Sequence, residues 1–375
     1  MRFSIFHNLG APGRLGEYHR VLDEAREFAR AADEAGFWSI WYTEHHFGHE
    51  SYELIPNPVL MGADIAARTR DIRIGQAANI ATFWHPLRLA EDIAHLDHAS
   101  GGRVEVGLGR GLYGREALNL NDLADPRDQE QNRALFDETV EVLKKAWTNR
   151  FFEHSGRFYT FPAPGVQWQH PLSPATPEFT EDGVITKLAV TPQPLQRPHP
   201  PLWQVIDSPR SITAAAEQGV QGLFWMPPVS ELKERFRLYR DSAQAAGRSL
   251  ALGEGIGLVR DVFVADTMEQ ARAQFEQAVL TSYRWITHWR GLGNLMEAGE
   301  QLTDQELSYE FLEQRNLLVG TPEHVAGKIE QLRDELNLQH LLLWTTHPGL
   351  EHRHAMRSLE LFTEKVMPRF TGAGA

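Results

Sequence analysis

The chain contains the stretch Ser39-Ile40-Trp41-Tyr42-Thr43-Glu44-His45-His46-Phe47, in which a short apolar run ends in polar and aromatic residues. The β-branched and aromatic residues of this run predict a buried strand. An amphipathic helical pattern precedes it over Glu24–Ala35, where apolar residues recur at steps of three and four. The same alternation of strand and helix patterns continues along the chain.

Eight β-like runs are present in total, at Phe3–His7, Ser39–Thr43, Ile72–Ile80, Val104–Leu108, Leu202–Ile206, Gly222–Met226, Ile256–Val264 and His340–Thr345. The clearest helical patterns between them are Glu24–Ala35, Leu87–Ala99, Gln131–Trp147, Glu231–Ala246 and Leu359–Val366. Strands that alternate with helices pair in parallel and are covered by those helices, and eight such units favour a closed barrel. We therefore predict an α/β fold of the (β/α)8, or TIM-barrel, class with insertions at the carboxyl-terminal rim.

The domain organisation follows from length and composition. With 375 residues and 42% hydrophobic content, the chain can bury one large core, and no change of composition marks a boundary. We expect a single domain over residues 1–375. A Pro-rich insertion is predicted at about 150–201, and a Trp- and Gly-containing excursion at about 284–315 is predicted to act as a lid.

Charge and composition exclude several classes of partner. The net charge of −13 without a Lys/Arg run argues against nucleic acid or an anionic membrane. The absence of cysteine excludes disulfides, thiol nucleophiles and thiolate metal sites. The apolar run at residues 1–6 is too short for a signal peptide, and no run of about 18 apolar residues exists. A cytoplasmic protein is expected.

The chemistry of such barrels lies at the carboxyl ends of the strands, so the residues that follow each β-like run are the candidates for a site. Polar, aromatic and glycine residues stand there after several strands. They are Glu44-His45-His46-Phe47, Trp84-His85, Gly109-Arg110-Gly111-Leu112-Tyr113-Gly114, Asp207-Ser208-Pro209-Arg210-Ser211, Trp225 and Trp344. These residues are predicted to meet on one rim.

The segment Ser208-Pro209-Arg210-Ser211 is typical of a helix start, with Ser208 as the N-cap and proline at the first helical position. The free backbone N–H groups of a helix start attract anions, and Arg110 from a neighbouring loop would complete a phosphate site. An ordinary cap with a solvated arginine is the alternative. Asp207 does not suit a phosphate site unless its carboxylate turns away.

Three other interpretations remain open for the rim residues. The glycines from Gly109 to Gly114 match a dinucleotide-binding fingerprint, but the pattern predicts no helix opening on them. The spacing of His45 and His49 allows a metal site, although a lone pair is weak evidence and no metal is expected. Tryptophans at the rim could form a dry wall around a planar cofactor or simply pack in the core.

For Trp38 and Trp41 the core interpretation is favoured, and for Trp84, Trp225 and Trp344 both interpretations stand.

Several further motifs occur in a fixed order along the chain. They are Thr43-Glu44-His45-His46-Phe47, His85-Pro86-Leu87-Arg88-Leu89-Ala90-Glu91-Asp92, Gly101-Gly102-Arg103, Gly107-Leu108-Gly109-Arg110-Gly111-Leu112-Tyr113, Gln196-Arg197-Pro198-His199-Pro200-Pro201, Val319-Gly320-Thr321-Pro322-Glu323 and Val366-Met367-Pro368. In this order they resemble the bacterial-luciferase-like flavin-dependent monooxygenases. The resemblance spans most of the chain.

The resemblance implies roles for individual residues. His45 matches the catalytic histidine, and Glu44 and His85 are expected beside it in the catalytic set. The cofactor-binding residues implied are Ala77, Ala78, Arg110, Gly111, Leu112, Tyr113, Asp207, Ser208 and Ser211. Among these, Arg110, Ser208 and Ser211 match the grip on the flavin phosphate, and Ala77-Ala78 matches a pair joined by a cis peptide.

Two departures from the luciferase α chain, Gly109 in place of a reactive cysteine and Ser211 in place of threonine, leave light emission and an aldehyde substrate open.

The implied reaction joins reduced FMN (FMNH2) and O2 as a C4a-peroxyflavin, which transfers one oxygen atom to a small apolar organic substrate. A separate flavin reductase is expected to supply the reduced flavin, because no NAD(P)H fingerprint is credible here, and a homodimer is expected. Two alternatives remain. One is a hydride-transfer enzyme of the same fold that uses the deazaflavin F420, and the other is a non-catalytic flavin-binding barrel, against which the retention of His45 speaks.

Overall fold

A computed structural model describes residues 1–303 and 306–372 of the chain. The strands are β1 (Arg2–His7), β2 (Ser39–Tyr42), β3 (Arg73–Gln76), β4 (Asn79–Ile80), β5 (Val104–Gly109), β6 (His154–Ser155), β7 (Thr160–Phe161), β8 (Thr180–Glu181), β9 (Val184–Ile185), β10 (Leu202–Val205), β11 (Gln221–Phe224), β12 (Ile256–Val264), β13 (Leu317–Gly320) and β14 (His340–Trp344).

The helices are α1 (Tyr18–Glu34), α2 (Pro58–Ala66), α3 (Pro86–Ala99), α4 (Gly114–Leu120), α5 (Gln129–Thr148), α6 (Pro209–Glu217), α7 (Val229–Ala245), α8 (Met268–Arg290), α9 (Tyr309–Glu313), α10 (Pro322–Leu336), α11 (His352–Leu361) and α12 (Pro368–Thr371).

Eight parallel strands close into a barrel in the order β1, β2, β3, β5, β10, β11, β12 and β14, and β14 returns to β1. Pairing of β5 with β10, with Val106 opposite Leu202, joins the two halves of the chain. The strands are buried on both faces, as expected where helices cover a parallel sheet. The predicted (β/α)8 barrel is confirmed.

The interior of the barrel is filled by large side chains. Trp41, Trp203 and Leu342 belong to one buried cluster inside the barrel. A Cβ at Gly75 would overlap the indole of Trp41, so glycine on β3 provides the room that this tryptophan needs. Trp41 is therefore a core residue, as predicted. Trp38 is not, because it is 38% exposed and lies beneath the guanidinium of Arg2.

The helices cover the outside of the barrel with their apolar faces. Helix α1 buries Val21, Ala25, Phe28, Ala29 and Ala32, a spacing that puts all five on one side. This helix begins at Tyr18, six residues before the predicted start at Glu24. The last predicted helix, Leu359–Val366, is the end of α11 followed by a π-helical turn over Phe362–Val366.

Three local features differ from the sequence prediction. The predicted strand Ile72–Ile80 is divided into β3 and β4, and the Ala77–Ala78 peptide between them is cis, as predicted. Strand β13 was not predicted and pairs with the last residues of β12, outside the closed ring. The short helix α4 begins at Gly114, so a helix does follow the glycine-rich loop.

Two excursions interrupt the alternating pattern. Residues 149–201 lie between α5 and β10 and contain two short hairpins, β6–β7 and β8–β9. The first hairpin lies along α5, where the Glu138 carboxylate accepts hydrogen bonds from the backbone N–H groups of residues 157–159. The second excursion begins at Gly291 rather than at Arg284, because α8 continues to Arg290; its residues 304–305 lie outside the described residues.

Over residues 1–303 and 306–372, no helix is both long enough and apolar enough to cross a membrane.

Candidate active site at the carboxyl ends of the strands

A cavity of about 300 Å³ opens at the carboxyl-terminal end of the barrel. Its walls come from the segments that follow β1, β2, β3, β5, β10 and β11, from the end of β14 and from helix α8. A concave site of this size at this end of a barrel is where ligand chemistry is expected. Of the predicted site residues, the cavity is lined by Glu44, His45, Ala77, Ala78, Arg110, Gly111, Leu112, Tyr113, Asp207, Ser208 and Ser211.

One end of the cavity is built to receive an anion. Ser208 is the N-cap of α6, its hydroxyl accepts from the Ser211 N–H, and the Ser211 hydroxyl accepts from the Ser208 N–H, so the predicted helix start is confirmed. The first turn of a helix carries a partial positive charge, although the capping box here already gives the Ser208 and Ser211 N–H groups side-chain partners. Burial lowers the pKa of Arg110, and the nearby cation Arg133 lowers it further. An anion here would relieve that repulsion.

Arg110 is held in place by neutral partners. Its Nη1 donates to the Asn132 side-chain oxygen at 3.0 Å and to the Gln129 side-chain oxygen at 3.2 Å. The Asn132 amide in turn donates to the Arg110 carbonyl at 3.0 Å. The guanidinium is thus oriented by neutral groups; Asp137 acts on it through charge, but no carboxylate of the described residues forms a direct ion pair with it, which leaves it available to a ligand.

Asp207, whose carboxylate would by itself repel a phosphate, has a cationic partner. Its Oδ2 lies 3.0 Å from Nη2 of Arg290, the last residue of α8, and both side chains line the cavity. The pair balances the charge of the carboxylate beside the helix start. Arg290 was not identified from the sequence, because its partner lies 83 residues away.

His45 lies between two carboxylates on the wall of the cavity. Its Nε2 is 3.2 Å from Glu53 Oε1 and its Nδ1 is 3.4 Å from Glu116 Oε1. Burial lowers the pKa of His45, but the carboxylates, Glu53 first, outweigh this effect and raise the pKa to about 9. The ring is therefore an imidazolium at neutral pH.

Glu44 and His46 form a second pair behind His45. His46 Nε2 lies 2.9 Å from Glu44 Oε1, and Glu44 Oε2 accepts from the Ile80 N–H at 2.7 Å. The Trp84 indole N–H also donates to Glu44 at 3.1 Å. Burial raises the pKa of Glu44, while its hydrogen bonds act in the opposite direction. Glu44 therefore connects the loops after β2 and β3 at the cavity wall.

His85 is not brought into the cavity. It is the N-cap of α3, is exposed, and packs edge-on against the ring of Phe161, with centroids 5.5 Å apart. The turn into Pro86 directs it toward the β6–β7 hairpin rather than toward the barrel axis. The prediction of a catalytic role for His85 is therefore not supported by its position.

Small residues line one side of the remaining cavity wall. Ala77, Ala78, Gly109 and Gly111 stand on one side, and a Cβ at Gly111, where φ is +82°, would lie 2.9 Å from the Phe83 ring. Glycine at 111 is thus required by its positive φ and by the nearby Phe83 ring, and the two alanines add little bulk to the cavity wall.

Aromatic rings and apolar side chains form the opposite side. Trp225 and Trp344 line the cavity, with ring centroids 5.2 Å apart, and Trp344 is at the same time buried in the cluster inside the barrel, so it serves both as wall and as core. Trp84 instead serves as a donor to Glu44.

Two of the alternative interpretations lose support in the structure. His49 has an 81% exposed side chain next to Glu50, whereas His45 faces the cavity, so these histidines do not converge on a metal. The glycine-rich loop belongs to a closed barrel rather than to an open sheet. Glu53 and Glu116 line the cavity but were not predicted as site residues. Apart from their charge, nothing in the sequence around them indicates that they pair with His45.

A closed (β/α)8 barrel with a cavity of this kind at the carboxyl ends of its strands has the architecture of a barrel enzyme. The chain belongs to the luciferase-like monooxygenase family, whose model matches residues 1–337. It is therefore an oxidoreductase, and the resemblance found in the sequence motifs is confirmed.

Two relatives and one solved structure illustrate the family. The chain is 28% identical over 382 residues to the oxygenase component of flavin-dependent trigonelline monooxygenase from Acinetobacter baylyi, covering 99% of this chain and 96% of that protein. It is 26% identical to 3,6-diketocamphane 1,6-monooxygenase from Pseudomonas putida, covering 97% of each chain. The crystal structure of monooxygenase RslO1 from Streptomyces bottropensis superimposes with a TM-score of 0.80 at 27% identity, covering 99% of this chain and 100% of that one.

Proposed function

We propose that the rim cavity binds reduced FMN and that the protein uses O2 to insert an oxygen atom into a small, largely apolar organic substrate. The observation that carries this proposal is the meeting of Arg110, the α6 helix start and an aromatic wall in one cavity. The flavin dependence named for the trigonelline relative supports it.

The residues fit the two ends of a flavin mononucleotide. Arg110, the first turn of α6 and the two serines Ser208 and Ser211 would hold the phosphate, because the guanidinium and the helix start bring positive charge to one end of the cavity and the Ser208 hydroxyl can turn from Ser211 to the ligand. Ala77, Ala78 and the glycines of the loop after β5 would lie against the ring system. The Asp207–Arg290 pair adds no net charge there.

When bound, the reduced flavin supplies two electrons to O2, and one oxygen atom goes to the substrate while the other leaves as water. The chain contributes a proton at a fixed place, because His45 is held as an imidazolium at the cavity wall. Trp225, Trp344 and neighbouring apolar side chains such as Val259 exclude water from the same space. His45, with Glu44 behind it, is our candidate for the proton-handling group.

We further propose that a separate flavin reductase supplies the reduced cofactor. The trigonelline relative is described as an oxygenase component, which supports a division of labour between two proteins. The glycine-rich loop after β5 offers no dinucleotide-binding unit of its own, since it lies within the barrel.

An anaerobic titration with FMN, FMNH2 and reduced F420 tests the cofactor. We expect FMNH2 to bind with the highest affinity and to quench the fluorescence of the cavity tryptophans. Tighter binding of reduced F420 would replace the proposal with the hydride-transfer alternative. If the FMNH2-loaded protein, mixed with O2 after the titration, is reoxidised at the rate of free FMNH2 and with no intermediate, the non-catalytic barrel would be favoured.

A further inference from the structure

Glu53 joins three separate segments of the rim through one buried carboxylate, which is 7% exposed. Its Oε1 accepts a hydrogen bond from the Tyr113 hydroxyl at 3.2 Å and lies 3.2 Å from His45 Nε2. Its Oε2 accepts from the Trp285 indole N–H at 3.1 Å. His45 follows β2, Tyr113 follows β5, and Trp285 belongs to the last turns of α8. The Glu53 carboxylate therefore connects α8 to the loop that carries His45.

The proton on each nitrogen of His45 depends on these carboxylates. A carboxylate can only accept, so the Nδ1 that hydrogen-bonds to Glu116 carries a hydrogen there, whereas Glu53 acts on the ring through its charge, 3.2 Å from Nε2. Glu116 Oε1 also accepts from the His46 backbone N–H at 2.7 Å, and it is the more distant partner of His45. Glu53, at 3.2 Å, is thus the nearer of the two carboxylates.

The electrostatic surroundings of His45 come from several elements. The groups that face it are the carboxylates Glu44, Glu53 and Glu116, the phenol Tyr113, whose ring centroid is 5.3 Å from that of His45, and the neighbouring imidazole His46. Arg290 acts on Tyr113 from the end of α8. Negative charges outnumber positive ones, and Glu53 is the largest single contribution that raises the pKa of His45.

We propose that Glu53 is a positioning residue that couples α8 to His45, and that Trp285 on α8 holds Glu53 where it keeps His45 oriented and protonated. The docking of α8 would then prepare the proton at His45. The inference rests on the proposed function only for the use of that proton, because the coupling itself exists without cofactor.

The test is an NMR titration of the His45 ring in cofactor-free protein with labelled histidine, where the signal is identified by its loss in His45→Gln. Glu53→Gln keeps the size of the side chain and one acceptor oxygen for the Trp285 indole N–H, its NH2 group can donate to the Tyr113 hydroxyl oxygen, and the charge is removed. We expect the midpoint to fall from about 9 toward the ordinary value of about 6.5. An unchanged midpoint would overturn the role of Glu53.

Trp285→Phe tests the coupling to α8, because it removes the indole N–H and keeps an aromatic ring. The midpoint should fall by a smaller amount, and the substitution should have no further effect in the Glu53→Gln background.

Trp289→Phe is the matched control. Its ring lies on Tyr113 with centroids 5.4 Å apart, it donates no hydrogen bond to Glu53, and it should leave the midpoint unchanged. Equal effects of the two tryptophan substitutions would overturn the coupling. If Glu53→Gln does not fold, the comparison of Trp285→Phe with Trp289→Phe still tests the coupling between α8 and His45. Failure of FMNH2 binding would leave these midpoints unaffected, so the two proposals are tested separately.

Discussion

The carboxylate of Asp207 and the guanidinium of Arg290 lie 3.0 Å apart at the anion-binding end of the cavity. Arg290→Gln would leave the carboxylate unpaired beside the bound phosphate. We expect affinity for FMN to fall by about three- to tenfold, the size of a partly exposed charge pair worth roughly 1 kcal/mol. Isothermal titration calorimetry measures this change.

The double variant Asp207→Asn with Arg290→Gln separates charge balance from direct contact. If Arg290 acts by neutralising Asp207, removing both charges should restore affinity for FMN to within about twofold. Persistent weak binding of the double variant would instead indicate that Arg290 contacts the ligand itself.

Arg110→Ala should weaken the binding of FMN far more than that of riboflavin, because only FMN carries the phosphate. A charge-assisted contact of about 1.5–3 kcal/mol corresponds to a loss of roughly ten- to a hundredfold. Arg127→Ala serves as the control, since that side chain is 77% exposed and pairs with Asp125. Equal losses for both ligands in the Arg110 variant would refute the phosphate assignment.

His45→Ala should bind FMNH2 within a few-fold of the unmodified protein but should convert O2 mainly to hydrogen peroxide, since the positioned proton is lost. Stopped-flow absorbance together with a product assay measures this uncoupling. His46→Ala is the internal control, because His46 bonds to Glu44 and does not line the cavity. Uncoupling by His46→Ala alone would move the catalytic assignment by one residue.

Stability in acid should depend on two buried histidines, His7 and His340, because burial lowers the pKa of each to about 3. The unfolded chain takes up protons below about pH 6.5 while these folded rings stay neutral, so stability falls with pH from that value toward 3. As the pH falls from 6.5 to 5, each ring lowers the free energy of unfolding by roughly 2 kcal/mol. His45 offsets part of this loss, because its raised pKa keeps it protonated in the folded state while the unfolded ring takes up its proton as the pH falls from about 7.5 to 5.

Urea unfolding at pH 7.5 and 5 checks this prediction. His340→Gln keeps a partner for the Ser4 hydroxyl, which lies 2.7 Å from His340 Nε2, and should lose less stability between the two pH values. The same loss with and without His340 would contradict it.

The sequence alone was enough to predict the barrel, the helix start at Ser208 and the place of Arg110 on the rim. Each depends on interactions that are local in the chain. Apolar periodicity specifies which side of an element is buried, and the cap at Ser208 involves residues only three positions apart. The alternation of elements then specifies a closed barrel, and the barrel puts all strand ends on one rim.

Only the tertiary structure decided which side chains on that rim meet. Glu53 and Trp285 are 232 residues apart, and His45 and Glu116 are 71 apart, so no local pattern pairs them. His85 stands in a motif beside the site, yet the turn into α3 directs it away from the cavity. Side-chain direction and charge pairing depend on how distant segments pack in three dimensions, whereas periodicity and capping are set by neighbours along the chain.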